Sequence, residues 1–221
     1  RHRPRLRQAL VVVEVALALP LLVGSGLSVI GAQRFLNGSQ GYEPNGMLKM
    51  HAVLPDATYT DLEARRRFVE NTTDAPSVLP GVTGVGVSNV IPTSGGNSGR
   101  WIEVEGQPAP DPANRPAIDY RTVTPSFMKT MQLPIVRGRA ITSADTADSL
   151  PVIVISESAA RRFFGEVDPI GKRIRLGASD TPWLTIVGIS GDYIHNWFGR
   201  RNAPTPYRPY AHAPALGLSI V

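Results

Sequence analysis

Residues 9–32 read ALVVVEVALALPLLVGSGLSVIGA, an apolar run whose one formal charge is Glu14. At about 1.5 Å per residue, a helix of this length spans about 36 Å, more than the roughly 30 Å of a bilayer's hydrocarbon core. Four arginines precede it within residues 1–8, and this one-sided positive charge predicts a cytosolic N-terminus. We therefore expect a cytosolic basic segment at 1–8, a transmembrane helix at 9–36 and an extracytoplasmic domain at 37–221.

A cleaved signal peptide is the alternative interpretation of this run. Signal h-regions are usually about 7–15 residues long and end in a small-x-small cleavage site. The run here is longer and ends in the poor site Gly31-Ala32-Gln33-Arg34-Phe35, which favours a spanning helix. Glu14 lies on a helical face of mostly small and polar residues, which predicts packing against other membrane helices. The alternative is that Glu14 snorkels to the cytosolic headgroups.

Composition limits the functions that the rest of the chain can have. About 180 residues follow the helix, enough for one sizeable core or two small subdomains. The chain has no cysteine, which excludes a disulfide framework, a thiolate zinc site and a cysteine nucleophile. The formal net charge is +5, but the arginines of the first seven residues supply most of it. The remainder is close to neutral, so we expect no nucleic-acid partner.

Hydrophobic patterning after the first helix predicts an α+β fold. A capping box at Thr60-Asp61-Leu62-Glu63 predicts a helix with Leu62, Phe68 and Val69 inward and Arg65–Arg67 mostly outward. Ser156 is expected to cap a second helix, Glu157–Phe164, which Gly165 ends. A helical turn is expected near Pro125–Met131. Strands are expected at Met47–Leu54, Val82–Val90, Trp101–Glu105, Ala117–Val123, Val152–Ile155, Arg173–Leu176 and Leu184–Ile189. The proline-rich stretches Gln107–Pro116 and Ala203–Pro209 are predicted to be surface connections.

Catalytic and cofactor-binding motifs are not evident in the sequence. The four histidines, His2, His51, His195 and His212, lack metal-ligand spacing. Gly84-Val85-Gly86 lacks the third glycine of a dinucleotide loop, and the chain has no phosphate-binding loop of the G-x-x-x-x-G-K-[ST] type. Asn97-Ser98-Gly99 lacks the frame of a nucleophile elbow. Glu103 and Glu105 share a strand face, and Arg65–Arg67 form a basic run, but both patterns are typical of solvated surfaces. We therefore predict no catalytic, cofactor-binding or metal-ligating residue, and no enzyme activity.

An ordered series of turn and cap motifs says more about the identity of the chain than any catalytic or cofactor-binding pattern does. The series comprises Gly41-Tyr42, Leu79-Pro80-Gly81-Val82, Pro125–Met131, Gly138-Arg139 with Asp145, Val152–Glu157, Arg162-Phe163-Phe164, Asp168-Pro169-Ile170-Gly171-Lys172-Arg173-Ile174, Ile186–Asp192 and Pro206–Tyr210. In this order and spacing the chain resembles the first transmembrane helix and extracytoplasmic core domain of the MacB/FtsX-type ABC transporter permeases. It is most similar to the bacterial duplicated permeases that lack a fused ATPase. The chain departs from the family pattern at Ser156, where the family often has Asn, and at Gln132, where it often has Gly. Asn71–Pro76 also resembles a small insertion after the helix predicted from the capping box.

The resemblance implies a fragment of a permease subunit in a bacterial inner membrane. It implies a core with paired strand–helix–strand units, which we place at about 43–92 and 146–221, and a β-rich second subdomain between them. The implied partners are the lipid bilayer, further transmembrane helices of the same or a second permease half, a separate cytosolic ABC ATPase and a periplasmic adaptor. The implied function is export or mechanotransmission, in which cytosolic ATP hydrolysis drives extracytoplasmic conformational change, without a bound cofactor.

Two alternatives remain at this point. One is the ligand-sensing extracytoplasmic domain of a membrane-anchored receptor such as a sensor kinase, which also places an α+β domain after one helix. The other is a membrane-tethered hydrolase, which the missing catalytic set disfavours.

Overall fold

The computed structural model describes residues 3–36, 46–74, 79–92, 96, 98–108, 111, 113, 115, 117–177, 180–193 and 203–221. The chain forms two compact units, residues 1–39 and 40–221. The first unit contains helix α1, Arg3–Leu36, with Pro20 inside it. Residues Arg7–Gln33 of α1 are long and apolar enough to cross a membrane, by length and composition. The predicted helix is therefore present. Within it, the hydroxyl groups of Ser25 and Ser28 donate hydrogen bonds to the backbone carbonyls of Leu22 and Gly24.

The second unit is built on one mixed β-sheet. Its helices are α2 (Leu62–Asp74), α3 (Phe127–Thr130), α4 (Glu157–Phe164) and a short 3₁₀ helix (Tyr210–His212). Its strands are β1 (Met50–Val53), β2 (Val87–Ser88), β3 (Gly99–Val104), β4 (Ala117–Asp119), β5 (Arg121–Val123), β6 (Ile135–Gly138), β7 (Val152–Ser156), β8 (Arg173–Leu176), β9 (Leu184–Ser190), β10 (Pro206–Pro209) and β11 (Gly217–Ile220). The strand order is β1-β11-β2-β5-β10-β7-β9-β8-β3-β4, and β6 also pairs with β9. The predicted α+β class is confirmed.

Strand β7, helix α4 and strand β9 form the best-predicted part of the fold. All five residues of β7 are buried, as expected of a continuous run of β-branched residues. The Ser156 hydroxyl accepts a hydrogen bond from the backbone N–H of Ala159, and Gly165 ends α4 with a φ of 58°. Strand β9 lies parallel to β7, so α4 and β8 together form the crossover between them.

Helix α2 begins one residue later than the capping box predicts. The Asp61 carboxylate, and not the Thr60 hydroxyl, accepts a hydrogen bond from the backbone N–H of Glu63. Leu62 is exposed, so its predicted inward position is wrong. Arg65 and Arg66 are half-buried because their guanidinium groups donate to the backbone carbonyls of Tyr59 and Ala211. These arginines attach the helix to the domain, whereas an outward face was expected.

The predicted strands differ from the structure in several places. The strand expected at Val82–Val90 is reduced to β2, Val87–Ser88. The single strand expected at Ala117–Val123 divides at Tyr120, because β4 pairs with β3 whereas β5 pairs with β2 and β10. The stretch Ala203–Pro209 contains the buried strand β10, between β5 and β7, and is not a surface connection. Strand β6 was not predicted. Pro206 and Pro209 lie at the two ends of β10. At a strand end, the missing backbone N–H of proline disturbs the hydrogen bonding between strands least.

The core lies on both faces of this sheet. Along β7, Val154 belongs to one apolar cluster, with Phe127, Met131 and Tyr207, while Ile153 and Ile155 belong to a second cluster on the other face. A third cluster contains Leu54, Val69, Val85, Val87, Tyr210, Leu218 and Ile220. Successive residues of a strand point to opposite faces of the sheet. Strand β7 therefore lies between the first two clusters and contributes side chains to both.

The expected sequence division of the core is only partly reproduced. Strands β1 and β2 of the first strand–helix–strand unit are separated by β11, the last strand of the chain. Strand β5, from the middle segment, lies between β2 and β10, whereas β3 and β4 extend the sheet beyond β8. The middle segment therefore contributes to both parts of the sheet. Gln132, where the similar family often has Gly, adopts a φ of 51°, a conformation that glycine accommodates best.

Candidate functional site

The turn at Asp168–Lys172 joins α4 to β8 and is fixed at both ends. The Asp168 carboxylate accepts hydrogen bonds from the backbone N–H of Ile170 at 3.1 Å and from the Arg137 guanidinium at 2.6 Å. These two bonds, the backbone bond first, lower the pKa of Asp168. The backbone N–H of Gly171 donates to the Ile186 carbonyl at 2.8 Å, and the Ile186 N–H donates to the Lys172 carbonyl. The turn is thereby attached to β6 and β9, which favours a structural role for it over ligand binding.

We expect the substitution Gly171→Val to destabilise the core domain by about 1–3 kcal/mol, because Gly171 has a φ of +82° that a β-branched residue adopts only with strain. The space around Gly171 is open, since no heavy atom lies within 4 Å of a Cβ placed there. Conformation alone therefore causes the loss. The control Lys172→Ala removes an exposed side chain and should change stability by less than about 0.5 kcal/mol.

Urea unfolding followed by tryptophan fluorescence tests this pair. The three tryptophans, Trp101, Trp183 and Trp197, all lie after the first helix, so the signal reports on the core domain of the full chain. A ligand-binding turn would give the reverse pattern. In that case Lys172→Ala would abolish binding of phosphate or another anion that the parent binds, and Gly171→Val would unfold like the parent.

Two further aspartates of the motif series, Asp145 and Asp192, also accept hydrogen bonds from both a backbone N–H and an arginine. Asp145 accepts two hydrogen bonds from the Arg139 guanidinium, both at 2.8 Å, and one from the backbone N–H of Thr142. Burial raises the pKa of Asp145, but these donors outweigh it and the net shift is downward. Asp192 accepts from the backbone N–H of Ser158 at 3.0 Å and from Arg161 at 2.9 Å, which ties the end of β9 to α4. Each of these three carboxylates therefore links a backbone N–H to an arginine side chain. We call this arrangement a clasp.

Glu103 in β3 and Glu105, which directly follows this strand, do not form a dyad. Glu103 pairs with Arg175 and Glu105 with Arg173, both on the neighbouring strand β8. The hydrogen bond from Arg173 lowers the pKa of Glu105. A carboxylate held ionised by an arginine is a poor general acid, so the arrangement favours cross-strand pairing.

The remaining candidates from the sequence are dispersed. His51 lies 3.4 Å from the Ser219 hydroxyl, and His212 lies 3.1 Å from the Ser149 hydroxyl, where burial lowers the pKa of its imidazole. Gly86 packs closely on α3, since a Cβ there would lie 2.8 Å from the Phe127 Cα. His2, His195 and Asn97 lie outside the described residues. Within the described ranges, no group of three His, Asp or Glu side chains is placed to hold a metal ion.

The second unit contains a cleft of about 640 Å³ that no sequence motif predicts. One helix face of α2 lines it with Glu63, Arg66, Glu70 and Asp74. The segment 142–148 contributes Asp145 and Asp148, and the apolar lining includes Val69, Val85 and Tyr210. Its size lies in the range of small-molecule sites. The i, i+3, i+7, i+11 spacing of the four charged residues indicates that they share one face of α2. No pattern in the sequence indicates that segment 142–148 lies beside that face.

Comparison with known proteins includes a family model that matches nearly the whole chain. The family model described as "MacB-like periplasmic core domain" matches residues 14–215. A curated relative, the macrolide export ATP-binding/permease protein MacB of Hahella chejuensis, is 32% identical over 97 residues, which are 43% of this chain. The matched part covers 14% of that relative's length.

Solved structures show weaker similarity. The periplasmic region of MacB from Actinobacillus actinomycetemcomitans aligns with a TM-score of 0.49 at 14% identity, over 85% of this chain and 78% of that one. The extracellular domain of the noncanonic ABC-type transporter YknZ from Gram-positive bacteria aligns with a TM-score of 0.47 at 14% identity, over 79% and 83% of the two chains.

Proposed function

Because the chain belongs to the MacB-like periplasmic core domain family, we propose that it forms the first transmembrane helix and the extracytoplasmic core of an ABC transporter permease. In this role α1 lies in a bacterial inner membrane beside further helices of the same or a second permease half. A separate cytosolic ABC ATPase supplies the motion, and the core domain passes it on, to export a substrate or to act on a periplasmic adaptor.

The family match over residues 14–215 is the observation that carries this proposal, since it includes most of α1 together with most of the core domain. The clasps at Asp145, Asp168 and Asp192 support it, because a domain that relays motion must move as one body. Neither the receptor alternative nor the hydrolase alternative is favoured by this match.

The position of β1 and β11 also supports a relay. The two strands are antiparallel neighbours, with Met50 opposite Ile220 and Val53 opposite Gly217. The chain therefore enters the core at Met50 and reaches Ile220 at the same end of this strand pair. A transmembrane segment following residue 221 would leave the domain beside its point of entry, so that two connections could move it together.

The first test of this proposal is topology. The chain lacks cysteine, so a cysteine introduced at Leu150, whose side chain is 83% exposed, is unique within it. We expect a membrane-impermeant maleimide to label Leu150→Cys in intact spheroplasts and to label Gln8→Cys only after permeabilisation. The positive-inside bias of residues 1–8 is the physical reason. Labelling in the reverse order would overturn the proposed orientation.

The second test measures the relay in the permease that contains this chain, reconstituted with its ATPase in lipid nanodiscs. Spin labels at Gln8→Cys and Leu150→Cys report the distance between α1 and the core domain. We expect ATP with vanadate to shift this distance, while a control pair within the core, Gln107→Cys with Leu150→Cys, stays unchanged. ATP hydrolysis without any change in the first distance would contradict mechanotransmission.

A further inference from the structure

The cleft beside α2 has an apolar lining and charged side chains around it. Val69 and Tyr210, which line it, are 3% and 4% exposed and belong to the third apolar cluster. Glu70 and Asp148, which also line it, are exposed. An apolar cavity with a few polar groups is the usual form of a small-molecule site, in which apolar area gives affinity and polar groups give orientation.

Arginines compensate only part of the negative charge of this cleft. Arg66 pairs with Glu63 at 3.2 Å and also donates to the Ala211 carbonyl, so its guanidinium is already engaged. Asp145 is paired with Arg139. Among the described residues, the carboxylates of Glu70 and Asp148 form no ion pair, although they come from two segments that line the same cleft. Like charges around one cavity raise the local concentration of cations.

The kind of cation follows from the spacing of these groups. Within the described part of the chain, no three carboxylate or imidazole groups are close enough to hold a metal ion. A compact metal ion would also gain nothing from Val69, Val85 and Tyr210. An organic cation with an apolar body would bury that body against these side chains and keep its charge beside the carboxylates.

We propose that the cleft between α2 and segment 142–148 binds an amphipathic organic cation. This proposal does not depend on ATP-driven motion, since it concerns binding alone. Glu70 and Asp148 attract the charge, and Val69, Val85 and Tyr210 belong to the apolar lining that the body of the cation contacts.

The test uses two probes of similar size and opposite charge, benzyltrimethylammonium and benzylsulfonate. The full chain is placed in nanodiscs of zwitterionic phosphatidylcholine, and binding is followed by saturation-transfer NMR with a concentration titration. We expect saturable binding of the cation and none of the anion. Raising the salt from about 0.05 M to about 0.5 M should weaken the binding several-fold, because the Debye length falls with ionic strength.

The variants locate the site. The double substitution Glu70→Gln/Asp148→Asn should weaken cation binding about fivefold or more, as expected for two exposed charges. The matched control Glu166→Gln/Asp180→Asn removes two exposed carboxylates that do not line the cleft, and should bind as the parent does. Ala147→Trp, which fills the cleft without changing its charge, should abolish binding.

Three results would overturn the proposal. They are equal binding of cation and anion, equal weakening by the two charge-neutralising doubles, and parental binding by Ala147→Trp. If Ala147→Trp does not fold, the two doubles still decide, because both keep side chains of parental size. Failure of the topology or distance tests above leaves this result unaffected, so the two proposals fail separately.

Discussion

We expect Gly188→Ala to destabilise the core domain by about 3 kcal/mol or more, although it adds only one methyl group. The Cβ would lie 2.1 Å from the carbonyl oxygen of Arg139 and 3.0 Å from its carbonyl carbon. These are backbone atoms that cannot move without breaking the pairing of β6 with β9, in which Gly138 lies opposite Gly188. The new methyl group therefore has to displace a strand.

Gly138 and Gly188 form a reciprocal contact. A Cβ on Gly138 would lie 2.3 Å from the Val187 carbonyl oxygen, and its φ is +72°. That oxygen accepts a hydrogen bond from the Arg139 N–H at 2.9 Å, so the close approach fixes the start of the segment that the Arg139–Asp145 pair holds. Gly138→Ala should be similarly severe. The two substitutions strain one contact, so the double variant should cost less than the sum of the singles.

The matched control for this prediction is Gly217→Ala in β11. No heavy atom lies within 4 Å of a Cβ at Gly217, and its φ is not positive. Stability should stay the same or rise by up to about 1 kcal/mol, because alanine reduces the entropy of the unfolded chain. Urea unfolding of the full chain, followed by tryptophan fluorescence, compares the three variants. A Gly188→Ala midpoint equal to that of Gly217→Ala would refute the prediction.

The elements predicted correctly from the sequence are those with local signals. Strand β7 and helix α4 follow from a β-branched run, a serine cap and a glycine stop, all within Val152–Gly165. The motif at Asp168–Ile174 was expected to be a turn, as it is. Each of these features is set mainly by residues near one another in sequence.

The errors concern features that depend on distant partners. Strand β10 carries prolines at both ends, and only its fit between β5 and β7 makes it a strand. Arg66 was expected to be outward, but it donates to the carbonyl of Ala211, 145 residues further on. The cleft joins α2 to segment 142–148. No local pattern specifies such pairings, so the candidate binding site could not be predicted from the sequence alone.

We expect Arg121→Ala, the second large effect, to destabilise the core domain by about 3–5 kcal/mol. Arg121 is fully buried in β5, at the point where the chain leaves β4 and crosses to another part of the sheet. Its guanidinium donates to the Tyr120 carbonyl at 3.0 Å and lies 3.9 Å from the Asp119 carboxylate. It also lies near Tyr193, where its charge opposes the rise in the tyrosine pKa that burial causes. The substitution leaves a cavity and removes the interactions of the guanidinium with the Tyr120 carbonyl and the Asp119 carboxylate.

Two further variants separate burial from ion-pair geometry. Arg121→Met keeps the aliphatic volume and should recover roughly half of the loss, because the cavity is filled and only the charge interactions are missing. Arg137→Ala is the matched control: its ion pair with Asp168 is shorter, at 2.6 Å, but both side chains are more than half exposed. It should cost no more than about 1 kcal/mol. If the two arginine-to-alanine variants lost equal stability in urea, ion-pair distance and not burial would govern these contacts. The crossing from β4 to β5 would then have to be held by something other than Arg121.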